Sequence, residues 1–342
     1  MPIRPIIRPS KIYVLSEFAS KESDLSQQPL SSPAEKEFIK ILSDVGISEA
    51  DCSFSSVLLE RPPSDKLENH YVNKATAGYN YPPPLAMGKY LKPSLLHNRE
   101  RVYEEIALAK PNLIVCLGNL AAWAILDKSG VGSLRGTILA SNYGKTMATY
   151  SPVSFQAQWE LRHTVVMDMF KAKREMNHPE IVYDEVKVWL NPSLQDMAEF
   201  YKLAQTKAAI SYDIETFPNQ KQIRCVGFGI GGLSIVVPFL DKRKPDYNYW
   251  QNLGDEIQAW NFVRAMLALP CAKITQNGMY DMTWLWKIIG MTPAGSCEDT
   301  MLFHHSLYPE MVKGLDFLGS IYCNLPPWKT LHRRGEFNKK DD

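Results

Sequence analysis

Apolar and polar positions follow two alternating periods in the first half of the chain, one typical of strands and one typical of helices. Short apolar runs with the length of buried strands are separated by stretches in which apolar residues recur every three or four positions. The predicted strands cover residues 11–15, 54–59, 113–118 and 146–150, and the predicted helices cover residues 32–44, 98–110, 119–127 and 159–173. This strand–helix alternation predicts an α/β domain built on a mainly parallel sheet.

A polar stretch over residues 174–185 ends this pattern, and a different one begins near residue 186. A helix is predicted over residues 192–206, with Asn191 as its N-cap and Pro192 in its first turn. Three strands follow over residues 208–216, 222–229 and 233–239, the last two joined by a Gly-Gly turn typical of a hairpin. A helix over 255–269, a strand over 272–275 and a helix over 279–289 complete an element order typical of ribonuclease H-like domains.

Composition narrows the class of protein. The 342 residues are 45% hydrophobic and 22% charged, as is usual for globular proteins. The net charge of +1 gives no overall positive field that would attract nucleic acid. The six cysteines are scattered and form no CxxC pair, which indicates reduced thiols rather than a zinc ribbon or a disulfide framework. No run has the pattern of a membrane span or a signal peptide. We therefore expect a cytoplasmic protein of a bacterium or of a phage-infected host cell, with no membrane partner.

Residues 61–93 form a proline-rich insert between two predicted elements of the first half. Tyrosines and scattered lysines alternate along it, the tyrosines being Tyr71, Tyr79, Tyr81 and Tyr90. Aromatic residues among cations can stack on single-stranded bases. An ordered surface excursion or a partner-binding arm accounts for the same pattern, so both explanations stay open.

The most informative chemistry lies on the predicted strand that ends at residue 216. Asp213 and Glu215 are two residues apart, so they point to the same face of that strand, while Ile214 points into the core. Two adjacent carboxylates repel each other unless a cation lies between them, and Mg²⁺ and Mn²⁺ prefer oxygen ligands of this kind. Asp281, in the first turn of the predicted helix 279–289, offers a third carboxylate from a separate element.

The second half resembles the proofreading 3′–5′ exonuclease domain of family A (polymerase I-type) DNA polymerases. Asp213-x-Glu215 matches the first exonuclease motif, residues 277–281 match the second, and residues 298–302 match the Asp-Thr segment that follows. The resemblance implies that the catalytic residues, which would hold two Mg²⁺ or Mn²⁺ ions, are Asp213, Glu215 and Asp281. It also implies that Asn277 and Tyr280 contact DNA. Phe217 lies just after the acidic motif, where it could act as a wedge between the last two bases of the strand or pack in the core, and both alternatives stay open.

The third motif of that family, Tyr-x3-Asp, has no counterpart after the Asp-Thr segment. The nearest imitation is Phe337-x3-Asp341, which lacks the tyrosine hydroxyl and lies in a polar tail. We therefore expect the exonuclease domain to be truncated before its third motif. We expect Asp299 to have a structural role rather than to bind metal.

The first half resembles the uracil-DNA glycosylase superfamily, and most closely its iron–sulfur branch, family 4. The resemblance rests on segments 61–63, 117–122, 134–136 and 149–152, in the order in which that family has its motifs. It implies that Glu17 is the water-activating residue. It places Leu30, Ser56 and Ser151 where the family has a stacking aromatic, a base-reading asparagine and a histidine. Because those residue types and the cluster cysteines are absent, the resemblance implies a degenerate pocket, an inactive domain and no iron–sulfur cluster.

The expected fold class is thus α/β, with a glycosylase-like parallel-sheet domain over residues 1–178 and a ribonuclease H-like mixed-sheet exonuclease domain over residues 182–342. The first hypothesis is the proofreading region of a replicative family A polymerase. It would act on single-stranded 3′ ends of DNA, with a polymerase domain in cis or as a separate chain. The second is a non-catalytic module that binds DNA or a polymerase, and the third is an active uracil-DNA glycosylase.

Overall fold

The computed structural model describes residues 2–79, 85, 88–217 and 222–325, and it divides the chain into two compact units. Unit 1 contains the residues up to Tyr183 together with those from Asp316 onward, and unit 2 contains Asp184–Leu315. The sequence predicts that the residues after 315 belong to the second domain, whereas the contacts of residues 316–325 group them with unit 1. The segment 337–341 lies outside the described residues.

Unit 1 begins as alternating strands and helices. Its strands are β1 (Ile12–Phe18), β2 (Cys52–Leu58), β3 (Tyr71–Val72), β4 (Tyr90–Leu91), β5 (Leu113–Leu117), β6 (Ile138–Ser141) and β7 (Gly144–Thr149). Its helices before the junction are α1 (Lys21–Ser26), α2 (Pro33–Asp44), α3 (Lys74–Ala77), α4 (His97–Ala109), α5 (Asn119–Leu126), α6 (Val131–Leu134), α7 (Pro152–Ala157) and α8 (Leu161–Glu175).

A five-stranded sheet of order β2-β1-β5-β7-β6 forms the centre of unit 1. The strands β2, β1, β5 and β7 run parallel, and only β6 is antiparallel to its neighbour. Alternate residues of β1 belong to different cores: Tyr13 and Leu15 pack with α4 and α5, whereas Ile12 and Val14 pack with α2 and α8. Helices therefore cover both faces, which confirms the parallel-sheet α/β fold predicted for the first half.

Buried charges connect α8 to neighbouring parts of unit 1. Arg135 donates two hydrogen bonds to the carboxylate of Asp168, and both side chains are at least 98% buried. Lys171 donates to the carbonyls of Gly136, Ser320 and Cys323 at 2.9, 2.8 and 2.9 Å. These contacts hold the residues that follow Asp316 against the core of unit 1.

Unit 2 contains the strands β8 (Lys187–Leu190), β9 (Ala209–Phe217), β10 (Gln222–Gly229), β11 (Leu233–Pro238), β12 (Ala272–Thr275) and β13 (Cys297–Asp299). Its helices are α9 (Leu194–Ala204), α10 (Leu253–Ala268), α11 (Met279–Ile289) and α12 (Thr300–Leu307), and α13 (Leu315–Tyr322) starts at its end. No helix in the described part of the chain is both long and apolar enough to cross a membrane.

The sheet of unit 2 is mixed and has the order β13-β12-β9-β10-β11-β8. The strand β10 is antiparallel to both of its neighbours, whereas β12 and β13 run parallel to β9. This arrangement confirms the mixed sheet and the element order predicted for the second half. The carboxyl end of β9 lies beside the turn between β12 and α11, which brings Asp213, Glu215 and Asp281 into one region.

Two local predictions were wrong for identifiable reasons. The helix α9 starts after Ser193 instead of Asn191, because Ser193 and Asp196 form a capping box in which each side chain accepts from the other's backbone N–H. The strands β6 and β8 were missed. Each has only four residues, too few to distinguish a strand from other short apolar runs by its pattern.

Candidate functional site

The strand β9 presents two carboxylates on one face. The side chains of Asp213 and Glu215 are exposed, whereas Tyr212 and Ile214 between and beside them are buried in the core of unit 2. Partial loss of hydration, followed by the charge of Glu215, raises the pKa of Asp213 above its ordinary value. The alternation predicted from the sequence is thus present, and it concentrates negative charge at this position.

The third carboxylate, Asp281, is attached to the same strand by a hydrogen bond. Asp281 lies in the first turn of α11 and is 97% buried, and its Oδ1 atom accepts from the backbone N–H of Ile214 at 3.0 Å. Burial raises the pKa of Asp281 to about 6, while the hydrogen bond from Ile214 opposes the rise and the charges of Asp213 and Glu215 add to it. The three carboxylates are therefore electrostatically coupled.

The turn that leads into α11 requires a close approach of backbone and side chain. Gly278 begins the helix, and a Cβ atom at this position would lie 2.2 Å from Oγ1 of Thr275, so a larger residue would displace the turn. Asn277 precedes it in the left-handed region with φ of 61°, which asparagine tolerates better than most residues. The carboxylate of Asp299 accepts from the N–H groups of Asn277 and Gly278 at 3.1 and 2.9 Å.

Asp299 also accepts from the N–H of Met301 at 2.9 Å and so caps α12. Three backbone hydrogen bonds to one carboxylate support the structural role that we expected for Asp299. Asn277 itself is exposed, and its side chain has no hydrogen bond to another described residue. Its predicted contact with DNA stays a prediction.

Tyr280 and Phe217 flank the acidic face from two different elements. The hydroxyl groups of Tyr280 and Thr216 share a hydrogen bond of 2.6 Å, which ties the first turn of α11 to the end of β9. The ring of Phe217 is half-buried, with Nζ of Lys242 at 4.4 Å and Cζ of Arg224 at 5.5 Å from its centroid. The pattern of motifs contained no signal for these two cations.

The carboxylate oxygens of Asp213, Glu215 and Asp281 suit a divalent metal ion, although the three side chains do not lie close enough together to form a complete site. Three carboxylates supply hard oxygen ligands, and Asp281 can bind a cation through its second oxygen while keeping the hydrogen bond from Ile214. The raised pKa values of Asp213 and Asp281 indicate carboxylates that a cation would stabilise. Among the described residues, no three His, Cys, Asp or Glu side chains are already grouped as metal ligands.

A second candidate site is a cleft of about 350 Å³ in unit 1. Among the residues that line it are Glu17, Gly118, Tyr150, Ser151 and Gln158. The Oε1 atom of Glu17 accepts from the backbone N–H of Leu120 at 2.9 Å. Gly118 has a φ of 97°, and a Cβ atom there would lie 2.4 Å from the Glu17 carboxyl carbon, so only glycine fits.

Burial raises the pKa of Glu17 to about 7, while the N–H groups of Leu120 and Asn119 oppose the rise and the charge of Glu68 adds to it. Ser151 lines the same cleft and caps α7 through a hydrogen bond from the N–H of Ser154. Of the four residues predicted for the degenerate pocket, the structure places these two at the cleft.

The other two predicted pocket residues do not line the cleft. Leu30 is 95% buried in the core beside α2, with φ of 55°. Ser56 is 99% buried in β2, where its hydroxyl group shares a hydrogen bond of 2.6 Å with Ser16. These side chains are committed to packing and to a buried hydrogen bond, so neither lies where it would contact a base in the cleft.

Solved structures similar to this chain include several nucleases, each with a low TM-score. Escherichia coli RNase D, described as an exoribonuclease involved in structured RNA processing, is 16% identical over 46% of this chain, with a TM-score of 0.32. Brucella melitensis NrnC bound to pGG is 17% identical over 40% of this chain, with a TM-score of 0.28. The Aedes aegypti Nibbler EXO domain is 10% identical over 45% of this chain and 78% of its own, with a TM-score of 0.32.

The chain spans 39% of the RNase D chain and 59% of the NrnC chain. Comparison with curated protein sequences gives no match. The family model described as the uracil DNA glycosylase superfamily matches residues 7–177, which make up half of the chain and include β1 to β7 and α1 to α8. The chain therefore belongs to the uracil DNA glycosylase superfamily.

Proposed function

We propose that this protein is a 3′–5′ exonuclease that depends on divalent metal ions and acts on single-stranded DNA through unit 2. The observation that carries the proposal is the coupling of Asp213, Glu215 and Asp281: two carboxylates share one face of β9, and the third is hydrogen-bonded to the residue between them. Clusters of this composition suit Mg²⁺ or Mn²⁺, and two such ions are the usual means of cleaving phosphodiesters with few cationic side chains.

Asp213, Glu215, Asp281 and Tyr280 would have separate roles in binding the metal ions and the substrate. Asp213 and Glu215 would bind the ions at the exposed face, and Asp281 would add a ligand from α11 while its hydrogen bond to Ile214 holds it in register. When bound, the ions would lower the pKa of the attacking water and offset the charge on the leaving oxygen. The shared hydrogen bond between Tyr280 and Thr216 would hold the tyrosine ring beside the substrate.

The resemblance to family A polymerases supports a more specific proposal, which is proofreading during DNA replication with a polymerase domain in cis or as a separate chain. It rests on the order of the motifs at residues 213–215, 277–281 and 298–302. The glycosylase-superfamily unit would then contribute binding or structure, since Leu30 and Ser56 are buried away from the cleft that contains Glu17.

One observation favours a second function, that of a non-catalytic DNA- or polymerase-binding module. In the part of the chain that the structure describes, no three His, Cys, Asp or Glu side chains are already grouped as metal ligands. The two functions differ in one measurable property: both allow DNA to bind, and only the first shortens it.

The test is digestion of a short single-stranded oligonucleotide, labelled at its 5′ end, by the full chain with Mg²⁺ or Mn²⁺. The proposal expects a ladder of products shortened stepwise from the 3′ end, and it expects no ladder with Asp213→Asn. Ser211→Ala is a matched control, because Ser211 is exposed on the same face of β9 but is not one of the proposed ligands. Binding without shortening by the unaltered protein would reject the exonuclease in favour of the binding module.

A further inference from the structure

We propose that Arg224 and Lys242, both held against the ring of Phe217, form a phosphate-binding pair that contacts the backbone of single-stranded nucleic acid beside the carboxylates of β9. This inference rests on the proposed nuclease function, whose substrate it would hold. In it, Phe217 serves as a support for two cations instead of as a wedge between bases.

Arg224 is placed by an irregularity in the sheet. Ile223 pairs with Thr216 and Cys225 pairs with Glu215, so Arg224 is an extra residue that bulges out of the ladder between β9 and β10. The carbonyl of Arg224 accepts from the N–H groups of Phe239 and Leu240, which holds the bulge in place. Bulges of this kind turn a side chain in a new direction and are frequent next to active sites. Here the guanidinium lies over Phe217.

The aromatic ring of Phe217 brings two cationic side chains together. Nζ of Lys242 lies 4.4 Å and Cζ of Arg224 lies 5.5 Å from the centroid of Phe217, both within the range of a cation–π interaction. Both cations belong to exposed residues. Holding them on a shared ring reduces the entropy that each would lose on binding a phosphate.

The charge of Arg224 is available for a ligand. Its side chain makes no ion pair and no hydrogen bond with another described residue. The neighbouring Arg243 differs, because it donates two hydrogen bonds to the carboxylate of Asp241, at 2.8 and 2.9 Å. Arg243 is thus neutralised within its own loop, whereas Arg224 keeps its charge for an anion.

The location of the pair fits a polyanion that approaches the acidic face. Asp213, Glu215 and Phe217 alternate along β9 and so point to one face, with Phe217 about 7 Å along the strand from Glu215. Carboxylates repel a nucleic acid, and positive charge next to them offsets that repulsion. A phosphate chain would therefore meet the two cations one step away from the proposed metal ligands.

The experiment measures binding and cleavage separately, using the full chain. Affinity for a short 5′-labelled oligothymidylate is measured by fluorescence anisotropy at several salt concentrations, with a chelator present to prevent cleavage. The variants are Arg224→Gln and Lys242→Gln, with Arg243→Gln as the control that removes a neutralised cation from the same loop. Arg224→Lys tests whether the charge alone is sufficient. All of these side chains are exposed, and a thermal unfolding curve checks that each variant is folded.

The inference expects affinity to fall about tenfold for Arg224→Gln and for Lys242→Gln, the loss of one hydrogen bond to a charged group. It also expects the slope of log affinity against log salt to become shallower by about 0.7 for each, with little change for Arg243→Gln and partial recovery for Arg224→Lys. Unchanged affinity and slope in both glutamine variants, or no binding by the unaltered protein, would overturn it.

Cleavage in Mg²⁺ or Mn²⁺ separates this inference from the function on which it rests. If the unaltered protein does not shorten the oligonucleotide, but the two glutamine variants still bind it more weakly, the phosphate-binding pair stands and the exonuclease is rejected. If the unaltered protein shortens it and the variants bind and cut equally well, the exonuclease stands and the phosphate-binding pair is rejected.

Discussion

The Oδ1 atom of Asp281 accepts a hydrogen bond from the backbone N–H of Ile214, the residue that separates Asp213 from Glu215. The strand β12 pairs with β9 only as far as Ser211, so the N–H of Ile214 lies beyond the end of that ladder and needs another acceptor. Asp281 supplies it from the first turn of α11. A single side chain thus completes the backbone hydrogen bonds of β9 and brings a third carboxylate to its acidic face.

This double role predicts different effects for two substitutions of Asp281. Asp281→Asn keeps an oxygen acceptor for Ile214 and should leave the stability of unit 2 nearly unchanged. Because the substitution removes a charge from the proposed metal site, metal-dependent cleavage should fall at least ~10- to 100-fold. Losses of that size occur when only the hydrogen-bond partners of metal ligands are altered. Asp281→Ala leaves a buried N–H without its acceptor and should cost about 1–3 kcal/mol.

Chemical denaturation and cleavage assays on both variants would check this prediction. Equal destabilisation by the two substitutions would show that the hydrogen bond to Ile214 contributes little. Full cleavage activity in Asp281→Asn would exclude Asp281 as a metal ligand.

The buried pair of Arg135 and Asp168 should be a major determinant of the stability of unit 1. Asp168→Ala would leave the guanidinium of Arg135 buried without its carboxylate and would also remove an acceptor for the hydroxyl of Thr149. Removal of one partner of a buried pair costs about 3–5 kcal/mol. The control is Lys11→Ala, which breaks a pair with Asp51 at the surface of the same unit and should change stability little.

Hydrogen exchange of peptides from α8, measured with and without denaturant, reports on unit 1 separately from unit 2. Faster exchange in Asp168→Ala and unchanged exchange in Lys11→Ala are the expected results. Equal effects of the two substitutions would mean that the buried pair adds nothing beyond an exposed one.

Glu17 should make the stability of unit 1 depend on pH. Its pKa is raised from 4.5 to about 7 in the folded state, so the folded state binds more protons than the unfolded state between these values. The stabilising effect of the protonated carboxyl is complete below about pH 4.5 and is lost as the pH rises to about 7. Glu17→Gln stays neutral and should lack this part of the dependence.

The difference in unfolding free energy between the unaltered protein and Glu17→Gln, measured across that pH range, isolates the contribution of this one group. A difference that does not vary with pH would contradict the raised pKa.

The glycosylase-superfamily unit should not release uracil from DNA. Leu30 and Ser56 are buried outside the cleft, and the side chain of Ser151 caps α7 instead of offering an imidazole. Glu17 alone would have to supply binding and catalysis. Incubation with a single-stranded oligonucleotide that contains one uracil, followed by alkali, should give no cleavage at that position. Alkali-sensitive product that disappears in Glu17→Gln would contradict this expectation.

The sequence predicted local features of the site better than contacts between distant residues. The alternation around Asp213 and Glu215 and the start of α11 near Asp281 follow from residue periodicity, which acts within one element. The bulge at Arg224 was not predicted, because it depends on the register between β9 and β10. The resemblance placed Leu30 and Ser56 in the pocket, whereas both are buried outside the cleft. Their positions depend on packing, which the order of motifs does not show.

The grouping of residues after 315 with unit 1 had no signal in the sequence either. It depends on hydrogen bonds from Arg135 and Lys171 to Ser320, which lies 185 and 149 residues further along the chain. Each of these groups taken alone resembles an ordinary surface side chain. Only the fold shows that Arg135 and Lys171 are buried and need acceptors.

The most direct test of this account is Mn²⁺ binding at neutral pH, measured by calorimetry on the full chain without nucleic acid. The account predicts that the unaltered protein binds Mn²⁺, that Asp213→Asn and Asp281→Asn each weaken binding at least about tenfold, and that Ser211→Ala does not. Failure of the unaltered protein to bind Mn²⁺, or equal affinity in all four proteins, would contradict the claim that the three carboxylates form a metal site.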